Sequence, residues 1–508
     1  MDTLPGLDNL VANTAYLKAQ NINRDKLRDQ WISLSLPKPR MSSDLQASVG
    51  RNYESLCEQQ PIGKKLFQQF LLASNSQYMV ATEFLQELSD WSFAEKEARE
   101  KAKQRILAKF FQPGSRSFVS YFTGEAAGIC KGLSIKKFDE EMLDELREAT
   151  RDLLRGKPFV EYLDSPFFYK FLQWKEYEKQ KINDRYFYEF RTLGKGGFGE
   201  VCAVQVKHTG QMYACKKLDK RCLKKKGCER LALLEKRILE QVNSLFIVNL
   251  AYAYDNKNHL CLVMDLMNGG DLHFHIYELG ERGMCMERVV YYAAQITTGI
   301  LHLHTLDIVY RDMKPENVLL DAKGQCRLSD LGLAMELPKN KKVCQTAGTT
   351  DFREKVQNEE VTRRTLEDDC KFEHKNFNDS SKDLIRCFLK KKSVHRLGCR
   401  NVNDDPRDHV FFKSINFRRL EAGLVDPPWV PTSNVVYAKD TNRLMESSVV
   451  EYIQFEQRDE EFFKKFSTGA VSIQWQKEMI NSGVFDHLND KEDNCNGYNN
   501  ESSMCNIL

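Results

Sequence analysis

Asp312, Lys314 and Asn317 lie within one short stretch, Tyr310-Arg-Asp-Met-Lys-Pro-Glu-Asn-Val-Leu-Leu320. A carboxylate in such a run can accept the proton of an attacking hydroxyl, and a carboxamide oxygen can hold a metal ion. Eighteen positions beyond Asp312 comes Asp330-Leu-Gly332, a second carboxylate in a glycine turn. Upstream, Leu193-Gly-Lys-Gly-Gly-Phe-Gly-Glu-Val201 spaces Gly194, Gly196 and Gly199 as G-x-G-x-x-G. Glycines let a hairpin lie close over phosphates where a Cβ would obstruct.

The elements around these residues decide between two uses of the glycines. A dinucleotide loop requires a helix directly after them. Here Glu200 to Val206 alternates with β-branched residues and reads as a strand. A second strand, Met212-Tyr-Ala-Cys-Lys-Lys217, places Lys216, and residues 230–241 have the apolar spacing of a helix. The ordered set resembles a eukaryotic protein kinase, with Tyr310 where that family usually has His and Leu331 where it usually has Phe. The resemblance implies an ATP site formed by Leu193, Gly194, Lys195, Gly196, Gly197, Phe198, Gly199, Glu200 and Val201. Lys216 would hold the α- and β-phosphates, paired with Glu235, or alternatively Glu240, on the helix. Asp312 would act as the catalytic acceptor alongside Lys314, and Asn317 and Asp330 would bind Mg2+.

The chain has 508 residues, 42% of them hydrophobic, enough for two or three packed domains. Its formal net charge of +3 points to neither a nucleic-acid protein nor a polyacid binder. Basic residues cluster locally, at Lys216, Lys217, Lys220, Arg221 and 224–226, and at Lys339, Lys341 and Lys342. Such runs read as solvated surface, or as contact with an anionic membrane leaflet or acidic receptor segment. Fifteen cysteines without framework spacing suggest a reducing compartment. No signal peptide or long apolar run is visible. The final Cys505-Asn-Ile-Leu508 matches C-a-a-X with a terminal Leu, which predicts geranylgeranylation at Cys505 after a polar tether. One lipid anchors weakly, so a second membrane or receptor contact is expected.

Residues 45–185 carry helical periodicity, with Leu66, Phe67, Phe70 and Leu71 in one run and dense aromatics over 158–175. Leu56-Cys-Glu-Gln-Gln-Pro-Ile-Gly63, Phe167-Phe-Tyr-Lys-Phe-Leu-Gln-Trp174, Met267-Asn-Gly-Gly-Asp-Leu272 and Asp426-Pro-Pro-Trp-Val-Pro431 together resemble the G protein-coupled receptor kinases. With Leu7-Asp-Asn-Leu-Val-Ala-Asn-Thr-Ala-Tyr-Leu17 and the C-a-a-X end, the likeness is to the retinal, opsin-kinase branch and covers nearly the whole chain. It implies an α+β protein, a bilobal protein kinase domain inserted in an α-helical RGS-homology bundle. The expected layout is a receptor-docking segment over 1–29, the RGS-homology domain over 30–185 and the kinase domain over 186–412. A kinase tail with closing RGS-homology helices would span 413–488, and a prenylated tail 489–508. The tail would wrap the small lobe with Phe462-Phe-Lys-Lys-Phe466 and bring 435–437 near the nucleotide cleft. The resemblance further implies phosphorylation of serines and threonines on activated receptors, here opsins, to shut off signalling. Peripheral, lipid-anchored residence on the cytoplasmic face of the photoreceptor outer segment and contacts with calcium sensors or G proteins follow from the same likeness. Leu7, Leu10 and Val11 form an apolar stripe too short to fold alone and would dock the receptor.

One departure stands out. After Gly348-Thr349-Thr350 the chain passes directly to Asp351-Phe-Arg-Glu-Lys-Val356, and no Ala-Pro-Glu follows Asp330. By resemblance to the kinase signature set, roughly forty residues are absent, including the peptide shelf and a core helix. The loss predicts poorer packing for Ile385, Phe388 and Leu389, a buried Arg396 without its glutamate, and weak catalysis by this polypeptide. A receptor kinase represented by a splice form or gene-model artefact, an inactive chain acting as a receptor or G-protein binding module, and a nucleotide-binding pseudokinase are the three competing readings.

Overall fold

A computed structural model of the chain describes residues 19, 25–38, 49–133, 138, 140–280, 283–337, 358–374, 376–432, 437 and 453–490. Leu7, Leu10, Val11, Cys505, Lys339, Lys341, Lys342 and the Thr350–Asp351 junction lie outside them. The described residues divide between two compact units, one within 22–182, 206–211 and 469–508, the other within 1–21, 183–205 and 212–468. No described helix is long and apolar enough to cross a membrane.

The first unit is helical. Its helices are α1 (Asp25–Trp31), α2 (Pro61–Ala73), α3 (Ser76–Phe93), α4 (Lys96–Ile106), α5 (Gly124–Gly132), α6 (Glu140–Arg155), α7 (Lys157–Leu163) and α8 (Pro166–Glu178), joined late in the chain by the helix Ser472–Ser482. Pro61 and Pro166 open α2 and α8, where a missing N–H costs nothing. On α6, Leu143, Leu146, Thr150 and Leu154 recur on one stripe and are buried. Gly63 permits a close approach in the bundle: a Cβ there would stand 2.0 Å from the Leu56 carbonyl oxygen. The aromatic run of α8 forms the core, with Phe168, Phe171, Leu172 and Trp174 buried. Trp174 stacks on Phe485 at 5.4 Å and donates to Asn489 Oδ1 at 3.2 Å, so residues more than 300 positions apart complete one bundle.

The second unit begins with a sheet of strands β1 (Phe187–Gly196), β2 (Gly199–Val206), β3 (Met212–Asp219), β4 (Leu250–Asp255) and β5 (His259–Asp265), in the order β1-β2-β3-β5-β4. Helices α9 (Lys220–Lys226) and α10 (Glu229–Gln241) follow β3. Beyond β5 come α11 (Leu272–Tyr277) and the long α12 (Met286–Thr305), then short strands β6 (Ile308–Val309), β7 (Val318–Leu320), β8 (Cys326–Leu328) and β9 (Met335–Glu336). β6 pairs with β9 and β7 with β8, both antiparallel. Gly299 on α12 lets the helix seat against Phe246 and Leu328, its Cβ position lying 3.0 Å from the Phe246 carbonyl oxygen.

Past the junction the unit is thin. Helix α13 (Asn358–Glu367) is solvent-facing, with Leu366 65% exposed and Arg363 and Arg364 paired to Glu360. Helix α14 (Asp379–Phe388) buries Leu384, yet Leu389 just after it is 54% exposed and Ile385 and Phe388 are half-buried. Arg396 corrects the sequence expectation. It is exposed, and its Nε donates to the Lys390 carbonyl at 2.8 Å. Water solvates the guanidinium, so no buried-charge penalty arises. Helix α15 (Phe417–Glu421) precedes the 426–431 segment, and the tail helix α16 (Gln457–Phe466) closes the unit.

The first basic cluster is also different from a free cationic patch. Lys216, Lys217, Lys220, Lys224 and Lys226 all have partners within the unit. Lys220 bonds Asp255 at 2.7 Å and lies 3.9 Å over the Phe463 ring, and Lys224 bonds Asp459 at 2.6 Å. These contacts seat α16, with Phe463 and Phe466 buried, as expected for Phe462-Phe-Lys-Lys-Phe466.

Candidate active site

The β1–β2 hairpin carries the glycines. Leu193 to Gly196 end β1, Gly197 and Phe198 form the turn, and Gly199 to Val201 begin β2. Gly194 and Gly196 face open space, with nothing within 4 Å of where a Cβ would stand. Gly199 is required by the fold: its Cβ would lie 1.9 Å from the Lys217 carbonyl oxygen.

Strand register sorts the charged residues between two faces. Val201 stands opposite Lys216, and Glu200 opposite Lys217. Successive side chains alternate, so Glu200 points to the face opposite Lys216. There its carboxylate lies 3.5 Å from Lys217, which also bonds Glu189 at 2.6 Å. Any part Glu200 takes at the cleft is therefore through its backbone.

Lys216 Nζ sits 2.7 Å from Glu235 Oε1 and 3.3 Å from Asp330 Oδ1. Burial works against its charge, but the two carboxylates hold its pKa above the usual lysine range, so it is an ammonium at any working pH. Glu235 is buried on the inward face of α10. Glu240 is occupied elsewhere, pairing with Lys236 at 2.6 Å and accepting from the Thr468 hydroxyl at 2.6 Å. That removes the alternative partner for Lys216.

The loop between β6 and β7 forms a second cluster. Asp312, 4% exposed, accepts from Lys314 Nζ at 2.7 Å and from Asn317 Nδ2 at 2.9 Å. Asn317 also donates to the Asp312 carbonyl at 2.9 Å. The two clusters are joined through the backbone, because Ser329 N donates to the Asn317 carbonyl at 2.8 Å and Asp330 follows directly. Tyr310, missed by motif reading as a working residue, donates its hydroxyl to the Ser329 carbonyl at 2.6 Å. Burial, with Asp330 and Asp312 nearby, pushes its phenol far above the ordinary value and keeps it a donor. Arg311 and Asp330 both adopt positive φ, 68° and 50°, a strain the surrounding bonds must hold. Arg311 Nε donates to the Leu333 carbonyl at 2.7 Å, tying the loop to the glycine turn.

These donors fit a nucleotide with a divalent cation. Asp330 presents a half-exposed carboxylate between Lys216 and Gly332, and Gly194 and Gly196 have open space where a Cβ would stand. Gly270, φ +81°, has the Tyr437 carbonyl oxygen 3.0 Å from where its Cβ would stand. Tyr437 thus sits beside the strand-to-helix connection after β5; 435 and 436 lie outside the described residues.

Comparison with known families agrees with this geometry. The protein kinase domain family matches residues 187–365, and the regulator of G protein signaling domain family matches residues 52–171. Fold and site therefore define an ATP-dependent serine/threonine protein kinase, dependent on a divalent metal and carrying a regulator-of-G-protein-signalling domain. Over its full length the chain is 56% identical to rhodopsin kinase grk7a of Danio rerio, also covered in full. It is 48% identical to rhodopsin kinase grk7-a of Xenopus laevis and 46% to rhodopsin kinase GRK7 of Homo sapiens, again with complete coverage of both chains. The chain belongs to the rhodopsin kinases, the retinal branch of the G protein-coupled receptor kinases. The Danio rerio alignment runs over 552 positions, 44 more than the chain's 508 residues, so it opens at least 44 gap positions in this chain.

Proposed function

We propose that this protein transfers the γ-phosphate of ATP to serines and threonines of activated opsins at the photoreceptor membrane, ending their signal. The observation that carries the reading is the Lys216–Glu235 ion pair at 2.7 Å, set beside Asp330 in the same cluster. Lys216 supplies a fixed positive charge for the phosphates, and Glu235 holds it in place. Asp330 and Asn317 would hold Mg2+, which when bound neutralises phosphate charge. Asp312 is poised to accept the proton of the substrate hydroxyl. Lys314, bonded to Asp312, stabilises negative charge next to that hydroxyl. The glycine hairpin from Leu193 to Val201, including Lys195, covers the phosphates and excludes water.

Four further assignments extend the reading. The organisation over 1–29, 30–185, 186–412, 413–488 and 489–508 describes a docking segment, a split RGS-homology bundle, the kinase domain, its tail and a tether. Leu7, Leu10 and Val11 fold against the activated receptor, while geranylgeranylation at Cys505 holds the enzyme on the cytoplasmic leaflet. Calcium-sensor and G-protein contacts are further members of the same scheme.

The 44-position shortfall favours a second statement about this polypeptide. Without the peptide shelf, it binds nucleotide but phosphorylates at least about tenfold more slowly than a chain with the segment restored, a difference of about 1.36 kcal/mol or more. Phosphate incorporation into light-activated opsin tests both points. The restored chain is active and Asp312→Ala abolishes that activity; a mutant with wild-type rates refutes the role given to Asp312.

A further inference from the structure

Helix α9, Lys-Arg-Cys-Leu-Lys-Lys-Lys over Lys220–Lys226, reads in sequence as an undifferentiated basic run. Its geometry separates the lysines. Asp219 caps the helix by accepting from Cys222 N at 2.7 Å, and Gly227 ends it with φ 60°. Lys220 and Lys224 are four residues apart and share one side, where they bond Asp255 and Asp459 and meet the aromatic residues around α16. Lys224 also donates to the Gln454 carbonyl at 3.1 Å. Lys226 comes two residues later, about 200° further around the helix at roughly 100° per residue. It therefore points away from the tail, to the glycine hairpin.

There it makes two contacts with the hairpin turn. Lys226 Nζ donates to the Gly197 carbonyl at 2.6 Å and lies 4.6 Å over the Phe198 ring. The Cys222 thiol, on the same helix, donates to the same carbonyl at 3.5 Å. The adjacent Phe198 carbonyl accepts from Asp219 N at 2.9 Å. Two successive carbonyls at the turn are thus held by α9 and the residue that caps it. The turn itself has no Cβ at Gly196 or Gly197 to restrain it, so a glycine-rich hairpin gains most from an outside anchor.

We infer that Lys226 is a positioning residue for nucleotide binding. It latches the turn of the glycine hairpin through the Gly197 carbonyl and Phe198 ring, while Lys220 and Lys224 anchor its helix to the tail helix α16. The ion pairs to Asp255 and Asp459 make the base of this latch stiff, and the ammonium on its single side chain makes the contact. Its action falls on the phosphates, which the hairpin covers, and not on the adenine. The inference rests on the nucleotide-site reading above.

The test is nucleotide affinity, which requires no phosphorylation of a partner. Dissociation constants for ATP with Mg2+ and for adenosine are measured by calorimetry on the full chain, on Lys226→Met and on Lys226→Arg. Lys226→Met weakens ATP about fivefold, the scale of one lost hydrogen bond, and leaves adenosine unchanged. Lys226→Arg, which keeps a donor and a cation over Phe198, restores most of the ATP affinity. Equal ATP affinity in wild type and Lys226→Met overturns the latch. Parallel weakening of ATP and adenosine also overturns it, since the residue would then support only the folding of the lobe. So does an arginine variant no better than methionine. A wild-type chain that binds neither ligand defeats the nucleotide-site reading first, and the latch with it.

Discussion

The Tyr310 hydroxyl donates to the Ser329 carbonyl at 2.6 Å, so the residue two before Asp312 holds the residue one before Asp330. Ser329 in turn reaches back to the Asn317 carbonyl through both its N–H, at 2.8 Å, and its hydroxyl, at 3.0 Å. The backbone before Asp330 and the loop bearing Asp312 are therefore tied by one short hydrogen-bonded bracket. Tyr310→Phe removes one neutral bond worth about 0.5–1.5 kcal/mol, and so lowers kcat on a soluble peptide about two- to tenfold in a chain with the missing segment restored. Tyr310→His keeps a donor and loses less. If the Tyr310→Phe enzyme matches wild type in kcat, the bracket has no part in catalysis.

Glu235 and Glu240 lie five residues apart on one helix but are bonded to different lysines. Glu235→Gln leaves Lys216 without its nearest carboxylate and weakens ATP binding about tenfold or more, as for a buried charge deprived of its partner. Glu240→Gln changes ATP affinity less than about twofold. Reversed effects in a fluorescence titration with an ATP analogue would exclude Glu235 as the lysine's partner.

In the helical unit, Gly63→Ala forces a Cβ toward the Leu56 carbonyl oxygen, 2.0 Å away on the present backbone. Backbone atoms must move, and overpacking of this kind costs about 1–3 kcal/mol. Thermal unfolding followed by circular dichroism checks it, with the expected loss of several degrees in Tm; an unchanged Tm means α2 and the preceding turn slide apart freely.

Phe466 is fully buried and ends the tail helix against the small lobe. Phe466→Ala should cost about 3–5 kcal/mol. Urea denaturation reports the loss directly, and a cost below about 1 kcal/mol would mean the site collapses around the smaller side chain.

Membrane residence is predicted to depend on Cys505. Each buried methylene of a prenyl chain contributes about 0.8 kcal/mol, and Cys505→Ser removes all of them. Fractionation of expressing cells then finds the mutant in the soluble fraction; equal pelleting of mutant and wild type would assign the anchoring to some other surface.

Much of the kinase lobe was legible along the chain because its chemistry sits in contiguous motifs. Asp312, Lys314 and Asn317 occupy one loop, and their mutual bonds at 2.7–2.9 Å are local in sequence. The strand after the glycines, Lys216 within it and the helix bearing Glu235 follow from period-two and helical spacing. The break in motif order after Thr350 is likewise read along the chain, as the absence of an Ala-Pro-Glu after Asp330.

Tertiary structure alone decided the pairings between distant residues. Spacing assigned Glu235 as the partner for Lys216 but did not eliminate Glu240. The rotation of α10, and the occupation of Glu240 by Lys236 and Thr468, removed the alternative. Glu200 lies in the glycine motif, yet strand register turns its side chain away from Lys216, because neighbouring residues on a strand face opposite sides. Arg396 looked orphaned in a buried site, whereas the thin lobe leaves it in water. The lysines of α9 looked alike by composition. Their positions around one helical turn commit Lys220 and Lys224 to the tail and Lys226 to the glycine hairpin, because side-chain direction depends on rotation about an axis that composition does not record.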